Sequence, residues 1–198
     1  MLDPMSCPPM ADKRFLAAFL TPSRIPIEGY RLYPFCIKYR LWLDAIGSPF
    51  IAQDKELTIP DLIIALQVCS ERPVGRLSLW ERWLAFRMAR DESRFEEACK
   101  AFVGYMDGAE AWPRFYEKKD ASSGGGSTIP WLLMVLCNLI RHGISYEHAL
   151  QMPEARAIWL STGFALSDGA KIEVLTTDDE ELIDSLQKVE ADKQCPNP

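Results

Sequence analysis

The chain has 198 residues, 48% of which are hydrophobic, and its formal net charge is −6 with a pI near 5.1. This length and composition suffice for the core of one domain of typical size. The negative charge would repel a phosphate backbone at long range, so nucleic-acid binding would require a local basic stripe. The arginines between residues 82 and 94 alternate with acidic residues, which indicates an ordinary solvated helix face.

The chain carries no recognisable targeting or membrane-spanning signal. Asp3 and three prolines interrupt residues 1–9, where a signal peptide would need a basic head and a continuous apolar segment. The most apolar stretch, residues 129–140, is shorter than the roughly twenty residues that cross a bilayer. The six cysteines form no closely spaced pair, and three lie in apolar helical runs, which favours reduced thiols. We therefore expect a cytoplasmic protein.

Apolar residues at helical spacing predict a series of helices in the first half of the chain. In chain order, they are expected at residues 15–20, 35–46, 58–71, 79–91 and 94–106. Capping boxes, in which a serine hydroxyl and a glutamate satisfy free amide groups at a helix start, are predicted at Ser78 with Glu81 and at Ser93 with Glu96. Between the first two helices, the alternating residues 25–28 permit at most a short strand.

Residues 117–128 separate these helices from a second group. Three consecutive glycines among serines favour a flexible linker there, since glycine loses the most backbone freedom when it is fixed. The second group comprises helices at residues 129–142, 145–150 and 154–166, a short strand at 171–175 and an acidic helix at 177–190. Because the helix at 129–142 is apolar on almost all sides, we expect it to be packed centrally.

The sequence thus predicts a mainly α fold, a compact multi-helix domain with one or two short strands and a Gly/Ser-rich internal linker. No internal repeat of fixed period is visible. We assign residues 1–14 to a disordered N-terminus, 15–116 to a first helical block, 117–128 to the flexible linker, 129–190 to a second helical block that packs on the first, and 191–198 to a disordered tail.

Few residues could support catalysis or metal binding. The two histidines, His142 and His148, flank a turn between helices. With Glu147 and Cys137 they could supply metal ligands, but their spacing matches no zinc pattern. We interpret His142 as a helix C-terminal residue favoured by the helix dipole, His148 as a surface residue and Cys137 as a packed thiol.

Three other segments resemble functional motifs only in outline. The carboxylates at residues 178–181 coincide with a helix start, which they would cap. The glycines at residues 124–126 lack the lysine of a phosphate-binding loop. Residues 145–166 have the outline of a helix-turn-helix, but the second helix offers a single arginine to contact DNA. We therefore expect no catalytic residue, no cofactor and no metal site, and a protein that is not an enzyme.

Trp112, Phe115 and Tyr116 are the best candidates for contact with a partner. They lie immediately before the predicted linker, where large aromatic side chains cannot all pack on a helix. Aromatic residues are enriched at protein interfaces because they combine a large apolar surface with a polar group. The alternative is that these side chains pack beneath a loop.

Several short segments resemble proteins of tailed-phage and prophage tail modules. Residues 20–24, 29–35, 48–50 and 61–70 are similar to small helical proteins of these modules. The apolar helix followed by Gly143 and residues 145–150 is similar to the C-terminal half of tail assembly chaperones. The resemblance covers residues 18–166, and it implies binding to the long tape measure protein while the tail tube polymerises. It implies no catalytic residues, and the linker and the acidic C-terminal helix fall outside it.

The resemblance and the apolar helices together give a leading hypothesis and two alternatives. The leading hypothesis is a non-enzymatic phage or prophage tail assembly factor, located in the host cytoplasm, that binds a helical protein such as the tape measure protein. The first alternative is a structural component of the particle, such as a head-tail or tail connector. The second is an enzyme that uses His142, His148 or the carboxylates at residues 178–181. No nucleic-acid or membrane partner is expected, and the sequence leaves the oligomeric state open.

Overall fold

A computed structural model describes residues 13–20, 24–52, 55–109, 112, 115–117, 130–175, 179 and 185. Its helices are α1 (Lys13–Phe19), α2 (Ile37–Ala45), α3 (Pro49–Ala52), α4 (Ile59–Cys69), α5 (Leu79–Arg90), α6 (Glu92–Ala109), α7 (Trp131–Arg141), α8 (Tyr146–Gln151) and α9 (Glu154–Ser167). Its strands are β1 (Ile25–Ile27), β2 (Tyr30–Leu32), β3 (Phe115–Glu117) and β4 (Ile172–Val174). The predicted mainly α fold is confirmed. The linker, apart from Glu117, and residues 1–12 and 191–198 lie outside the described residues. Lys13 and Arg14, which we assigned to a disordered N-terminus from the sequence, belong to α1.

The strands form two antiparallel pairs. In the first, β1 and β2 are joined by Glu28 and Gly29, which have φ angles of 44° and 79°. Two consecutive left-handed residues are typical of a tight type I′ hairpin turn. Gly29 is required here for a second reason, because a Cβ atom on it would lie 2.7 Å from Cζ2 of Trp80.

The second pair, β3 and β4, brings together distant parts of the chain, with Phe115 opposite Val174 and Glu117 opposite Ile172. Of the four strands, β2 and β3 were not predicted as strands, and Glu117 was assigned to the linker. A strand of three residues is too short to show alternation in the sequence. Its existence depends on a partner strand, which local sequence cannot identify.

The capping box predicted at Ser78 is confirmed, and α4 begins with similar chemistry at Thr58. At the start of α4, the Thr58 amide donates to the Asp61 carboxylate at 3.0 Å. At the start of α5, the Ser78 amide donates to Oε2 of Glu81 at 2.7 Å, and the Glu81 amide donates to the Ser78 hydroxyl at 3.3 Å. Each carboxylate thus satisfies an amide group that the helix leaves free.

The capping box predicted at Ser93 and Glu96 is wrong. Helix α6 already begins at Glu92, and the Asp91 carboxylate accepts a hydrogen bond from the Arg94 amide at 3.2 Å. Aspartate is among the strongest residues for this role, and Asp91 is already placed at the end of α5. It therefore starts α6 two residues earlier than predicted.

The buried side chains form two clusters. The larger cluster combines β1 and β2 with α2 to α6, and its fully buried members include Tyr30, Leu62, Leu66, Leu84 and Phe102. The smaller cluster combines Ile37 of α2 with α7, α8 and α9. Helix α2 therefore contributes side chains to both clusters.

A buried ion pair joins the two clusters. Nε of Arg40 in α2 lies 2.7 Å from Oε1 of Glu154, whose side chain is fully buried at the start of α9. The Glu154 amide also donates to the Phe35 carbonyl at 3.0 Å. A second contact places Phe15 of α1 against Trp159 of α9, with ring centroids 5.6 Å apart.

None of the helices within the described ranges is long and apolar enough to cross a bilayer.

Candidate functional site

Helix α7 is apolar but not central, which corrects the prediction from sequence. Trp131, Leu133, Met134 and Ile140 are between 42% and 48% exposed. Cys137, which we had expected to be packed, is also exposed and lies among them on the helix. We call these five residues the α7 surface. The prediction failed because the sequence shows that a helix is apolar on several sides but not how many of those sides other helices cover.

The inner side of α7 explains why the α7 surface faces outward. Leu136 and Leu139 are buried against α8 and α9. The Asn138 amide group donates to the Ser161 carbonyl at 2.7 Å and to the Ser161 hydroxyl at 3.0 Å. This part-buried polar anchor favours the observed rotation of the helix, because another rotation would lose both hydrogen bonds to Ser161. The exposed apolar residues are therefore held outward.

An apolar groove runs between α7 and α9 beside this surface. Its volume is about 790 Å³, and its walls include Trp131, Met134 and Val135 of α7 with Ile158 and Ala165 of α9. Arg141 and Asp168 form an ion pair at the end of α7, with their nitrogen and oxygen atoms 3.4 Å apart. A groove with apolar walls and few polar groups suits the apolar face of a helix.

Of the predicted partner-binding residues, Trp112 is the one that the structure places against the start of α7. Trp112 is half-buried, and its ring centroid lies 5.7 Å from that of Trp131. Phe115 and Tyr116 belong to β3, where their backbones pair with Val174 and Glu173. The structure therefore connects Trp112 to the α7 surface, and partner binding by the three residues stays a prediction.

A second exposed apolar stripe lies on α5. Leu79, Trp83 and Phe86 are 84%, 51% and 52% exposed. The Arg87 guanidinium lies 4.6 Å from the Trp83 ring centroid, and the Arg90 guanidinium lies 4.4 Å from that of Phe86. We call these five residues, together with the exposed Arg82, the α5 surface. The alternating charges of this segment predict a solvated face of mixed charge, and they do not reveal its apolar stripe.

The acidic residue that the sequence places beside these arginines is turned into the core. Glu81 is 3% exposed, and its Oε1 atom accepts hydrogen bonds from the Tyr30 hydroxyl at 2.8 Å and the Gln67 amide at 3.2 Å. Burial alone would raise the pKa of Glu81, but the bonds from the Ser78 amide, Tyr30 and Gln67 outweigh it and lower the pKa to about 2. Glu81 is therefore a buried anion that does not offset charge on the α5 surface.

Two other charged residues near α5 already have partners. Arg94 pairs with Glu28 of the hairpin at 2.7 Å, and the exposed Asp91 carboxylate accepts a hydrogen bond from the Arg94 amide. Within the part of the chain that the structure describes, Arg82, Arg87 and Arg90 have no carboxylate within ion-pair distance. The α5 surface is thus locally basic on an acidic protein. An alternating sequence could not show this, because it does not tell which charges face inward.

A groove between α4 and α5 adjoins the α5 surface. Its volume is about 480 Å³, and its lining is almost entirely apolar. Ile59, Ile63 and Ile64 line it from α4, Leu77 from the loop between the helices, and Phe86 from α5. Phe86 belongs to both the groove and the arginine-bordered stripe, so the two features are continuous.

The histidines occupy the positions predicted for them. His142 is the C-terminal cap of α7; its ring stacks on Phe164 at 4.2 Å, and its Nε2 atom lies 3.3 Å from Asp168. His148 is exposed on α8. Among the described residues, no three histidine, cysteine or acidic side chains are grouped as metal ligands would be. The carboxylates at residues 178–181, apart from the exposed Asp179, and the glycines at 124–126 lie outside these residues.

Comparison with known proteins gives no family for this chain. No family model, curated protein or solved structure matches it. Among the exposed apolar side chains of the described residues, those of α5 and α7 each lie beside an apolar groove between two helices. Both can bind an apolar helix face, and they differ in the charges at their edges.

Proposed function

We propose that the chain is a non-enzymatic assembly factor that binds a helical partner protein in the host cytoplasm, as tail assembly chaperones of tailed phages bind the tape measure protein. The observation that carries this proposal is the outward-facing α7 surface beside the groove between α7 and α9. Large apolar side chains that are about half exposed, as these are among the described residues, are typical of protein-binding sites.

The dimensions of α7 suit a helical partner. Its 11 residues span about 16 Å, or three turns, along which an apolar helix stripe can make repeated contacts. Burial of apolar surface contributes about 25 cal/mol per Å², so covering four half-exposed large side chains favours association without any polar chemistry. The observed rotation of α7 is favoured by Asn138, so little ordering is needed when a partner binds.

The test is co-expression of the full chain with the tape measure protein, the long helical tail protein that we expect to be encoded near it. We expect the chain to keep that protein soluble and to co-purify with it. The double variant Leu133→Asp/Ile140→Asp should lose this activity, because two carboxylates would be buried in the apolar contact. The matched control is Ile46→Asp/Val103→Asp, which places the same charges at exposed apolar positions at the end of α2 and on α6.

The outcomes separate this proposal from its alternative. If neither protein changes the solubility of the other, or if the control variant is as defective as the α7 variant, the proposal fails. Recovery of the chain in purified phage particles would instead support the structural-component alternative, since an assembly chaperone leaves the finished tail. Circular dichroism of each variant shows that a lost interaction is not a lost fold.

A further inference from the structure

We propose that the α5 surface is a second docking site, and that its ligand is an acidic amphipathic helix of a partner protein. This inference rests on the proposed function in that the partner is helical, but it uses a different surface and adds the charge of the ligand. Three properties of the described residues carry it: the spacing of the apolar stripe, the unpaired arginines and the adjoining groove.

The apolar stripe has the spacing of one helix face. Leu79, Trp83 and Phe86 are separated by four and three residues, so they project from the same side of α5. The helix has 12 residues and spans about 18 Å, which matches about three turns of a ligand helix. Two of these side chains are aromatic, and large aromatic residues contribute most to binding when a partner covers them.

The arginines define the charge of the ligand. Arg87 and Arg90 stack on Trp83 and Phe86, so their guanidinium groups are held at the edge of the stripe. Such stacking leaves the planar donors available for a carboxylate, which guanidinium binds in a bidentate manner. Because Glu81 is buried and no carboxylate of the described residues pairs with these arginines, an acidic partner can supply the compensating negative charge. Since the formal net charge of the chain is −6, this basic patch has the opposite sign to the chain as a whole.

The groove defines the apolar side of the ligand. Ile59, Ile63 and Leu77 face a volume of about 480 Å³ that opens next to Phe86. A ligand helix with apolar residues at positions i, i+3 or i+4, and i+7 would place them over the groove and the stripe. Glutamate or aspartate on its flank would then reach the arginines. A nucleic acid would bring its charged phosphates against this apolar lining. A protein helix with an apolar face is therefore the better match.

A fluorescent peptide tests this assignment. The probe is a helical peptide of about 14 residues, four turns, with leucines on one face and glutamates on both flanks. Fluorescence anisotropy should show saturable binding to the full chain that weakens as salt is added. The variant Arg82→Glu/Arg87→Glu/Arg90→Glu should bind at least about tenfold more weakly. The same variant should gain affinity for a peptide in which lysines replace the glutamates, as expected if charge selects the ligand.

The matched control changes the same net charge elsewhere. Lys13→Glu/Arg31→Glu/Lys171→Glu replaces three exposed basic residues outside α5, and it should keep nearly the original affinity. Equal loss in both triple variants would show a general charge effect and overturn the site. Equal binding of the glutamate and lysine peptides by the unchanged protein would also overturn it, as would comparable affinity for a single-stranded oligonucleotide.

A further variant tests whether the chain covers this surface itself. In Asp178→Asn/Asp179→Asn/Glu180→Gln/Glu181→Gln, the acidic run near the C-terminus is neutralised in the full-length chain. Peptide affinity should stay unchanged; a tenfold rise would show that this segment competes for the site and would overturn the assignment to a partner. Failure of the peptide to bind, with the α7 variant still defective in co-expression, would remove this inference and leave the proposed function standing.

Discussion

The α5 and α7 surfaces expose similar amounts of apolar side chain but differ at their edges. On α5, Trp83 and Phe86 lie under arginine side chains that have no carboxylate partner in the described residues. On α7, the arginine at the end of the helix is already paired with Asp168. Apolar burial would supply much of the binding free energy at either surface, whereas uncompensated charge would select the partner. The two proposed sites therefore differ in the ligands that they would select.

The difference begins with the residue that anchors each helix from inside. A buried carboxylate, Glu81, anchors α5 and thereby removes a negative charge from its outer face. A neutral amide, Asn138, anchors α7 and leaves its surface charge unchanged. The polar group chosen for the core thus influences the electrostatics of the opposite face of the same helix.

The largest expected effect comes from breaking the buried ion pair between α2 and α9, which joins the two buried clusters. Arg40→Ala would leave the fully buried Glu154 carboxylate without its guanidinium partner. Removing one partner of a buried pair costs about 3–5 kcal/mol, because the remaining charge stays desolvated. We expect urea unfolding to show a loss of this size.

The control for Arg40 is another basic residue of α2, Lys38, whose ion pair is exposed. Lys38 lies 2.8 Å from Glu71, and both side chains are at least one-third exposed. Lys38→Ala should cost less than about 1 kcal/mol, since water solvates the remaining carboxylate. Equal losses in the two variants would mean that burial of Glu154 does not determine the cost.

The next effect is an acid-dependent loss of stability that involves α5. The pKa of Glu81 is lowered from 4.5 to about 2 in the folded protein. Its contribution is therefore complete above the unfolded-state value and is lost as the pH falls from about 4.5 to about 2. At 1.36 kcal/mol per pKa unit, the contribution is about 3 kcal/mol. The free energy of unfolding, measured against pH, should decline over this window.

Two variants test the assignment to Glu81. Glu81→Gln should lower stability at neutral pH by about 1–3 kcal/mol, because it weakens charge-assisted hydrogen bonds to a buried group. It should also flatten the acid-dependent decline. Asp61→Asn, which alters the exposed cap of α4, should cost about 1 kcal/mol and leave most of the decline in place. An unchanged pH dependence in Glu81→Gln would contradict the cause given for the shift.

The elements of this fold that the sequence predicts are those encoded locally. Helices α4 and α5 follow from their apolar spacing and from the caps at Thr58 and Ser78. By contrast, β3 exists through its pairing with β4, more than fifty residues away in the chain. Its three residues carry no pattern that distinguishes a strand from a loop.

The candidate site was harder to predict because it depends on which residues remain uncovered. Apolar periodicity identifies α7 as a helix, but the same residues suit a buried helix and an exposed one. On α5, the alternation of acidic and basic residues suggested neutralised charge, although Glu81 points inward. A signal was present in the capping box itself, because a glutamate at that position turns back toward the helix start. Burial of its side chain, however, requires Tyr30 and Gln67 from distant segments.

Polar substitutions on each surface should separate the two binding activities. Trp83→Ser/Phe86→Ser should weaken the acidic peptide at least about tenfold and leave solubilisation of the helical tail protein intact. The variant Leu133→Ser/Ile140→Ser should weaken solubilisation of the helical tail protein and leave binding of the acidic peptide intact. Each pair should change stability by no more than about 1 kcal/mol, because the replaced side chains are already half exposed. If either pair abolishes both activities, the two surfaces form a single site.

The smallest expected effect is a change in the reactivity of one thiol. Among the described cysteines, Cys137 is exposed, whereas Cys36, Cys69 and Cys99 are buried. Burial raises the pKa of Cys36 to about 11 and that of Cys69 to about 12, so neither forms much thiolate at neutral pH. In a background with serine at positions 7 and 195, maleimide should label Cys137 first.

Protection of Cys137 then distinguishes the two surfaces without altering either. The helical tail protein should slow its labelling, because Cys137 lies within the α7 surface that this partner is proposed to cover. The acidic peptide should leave the rate unchanged at concentrations that saturate anisotropy, since it is proposed to bind on α5. Protection by the peptide would place its site on α7, and the arginines of α5 would then have no role in selecting it.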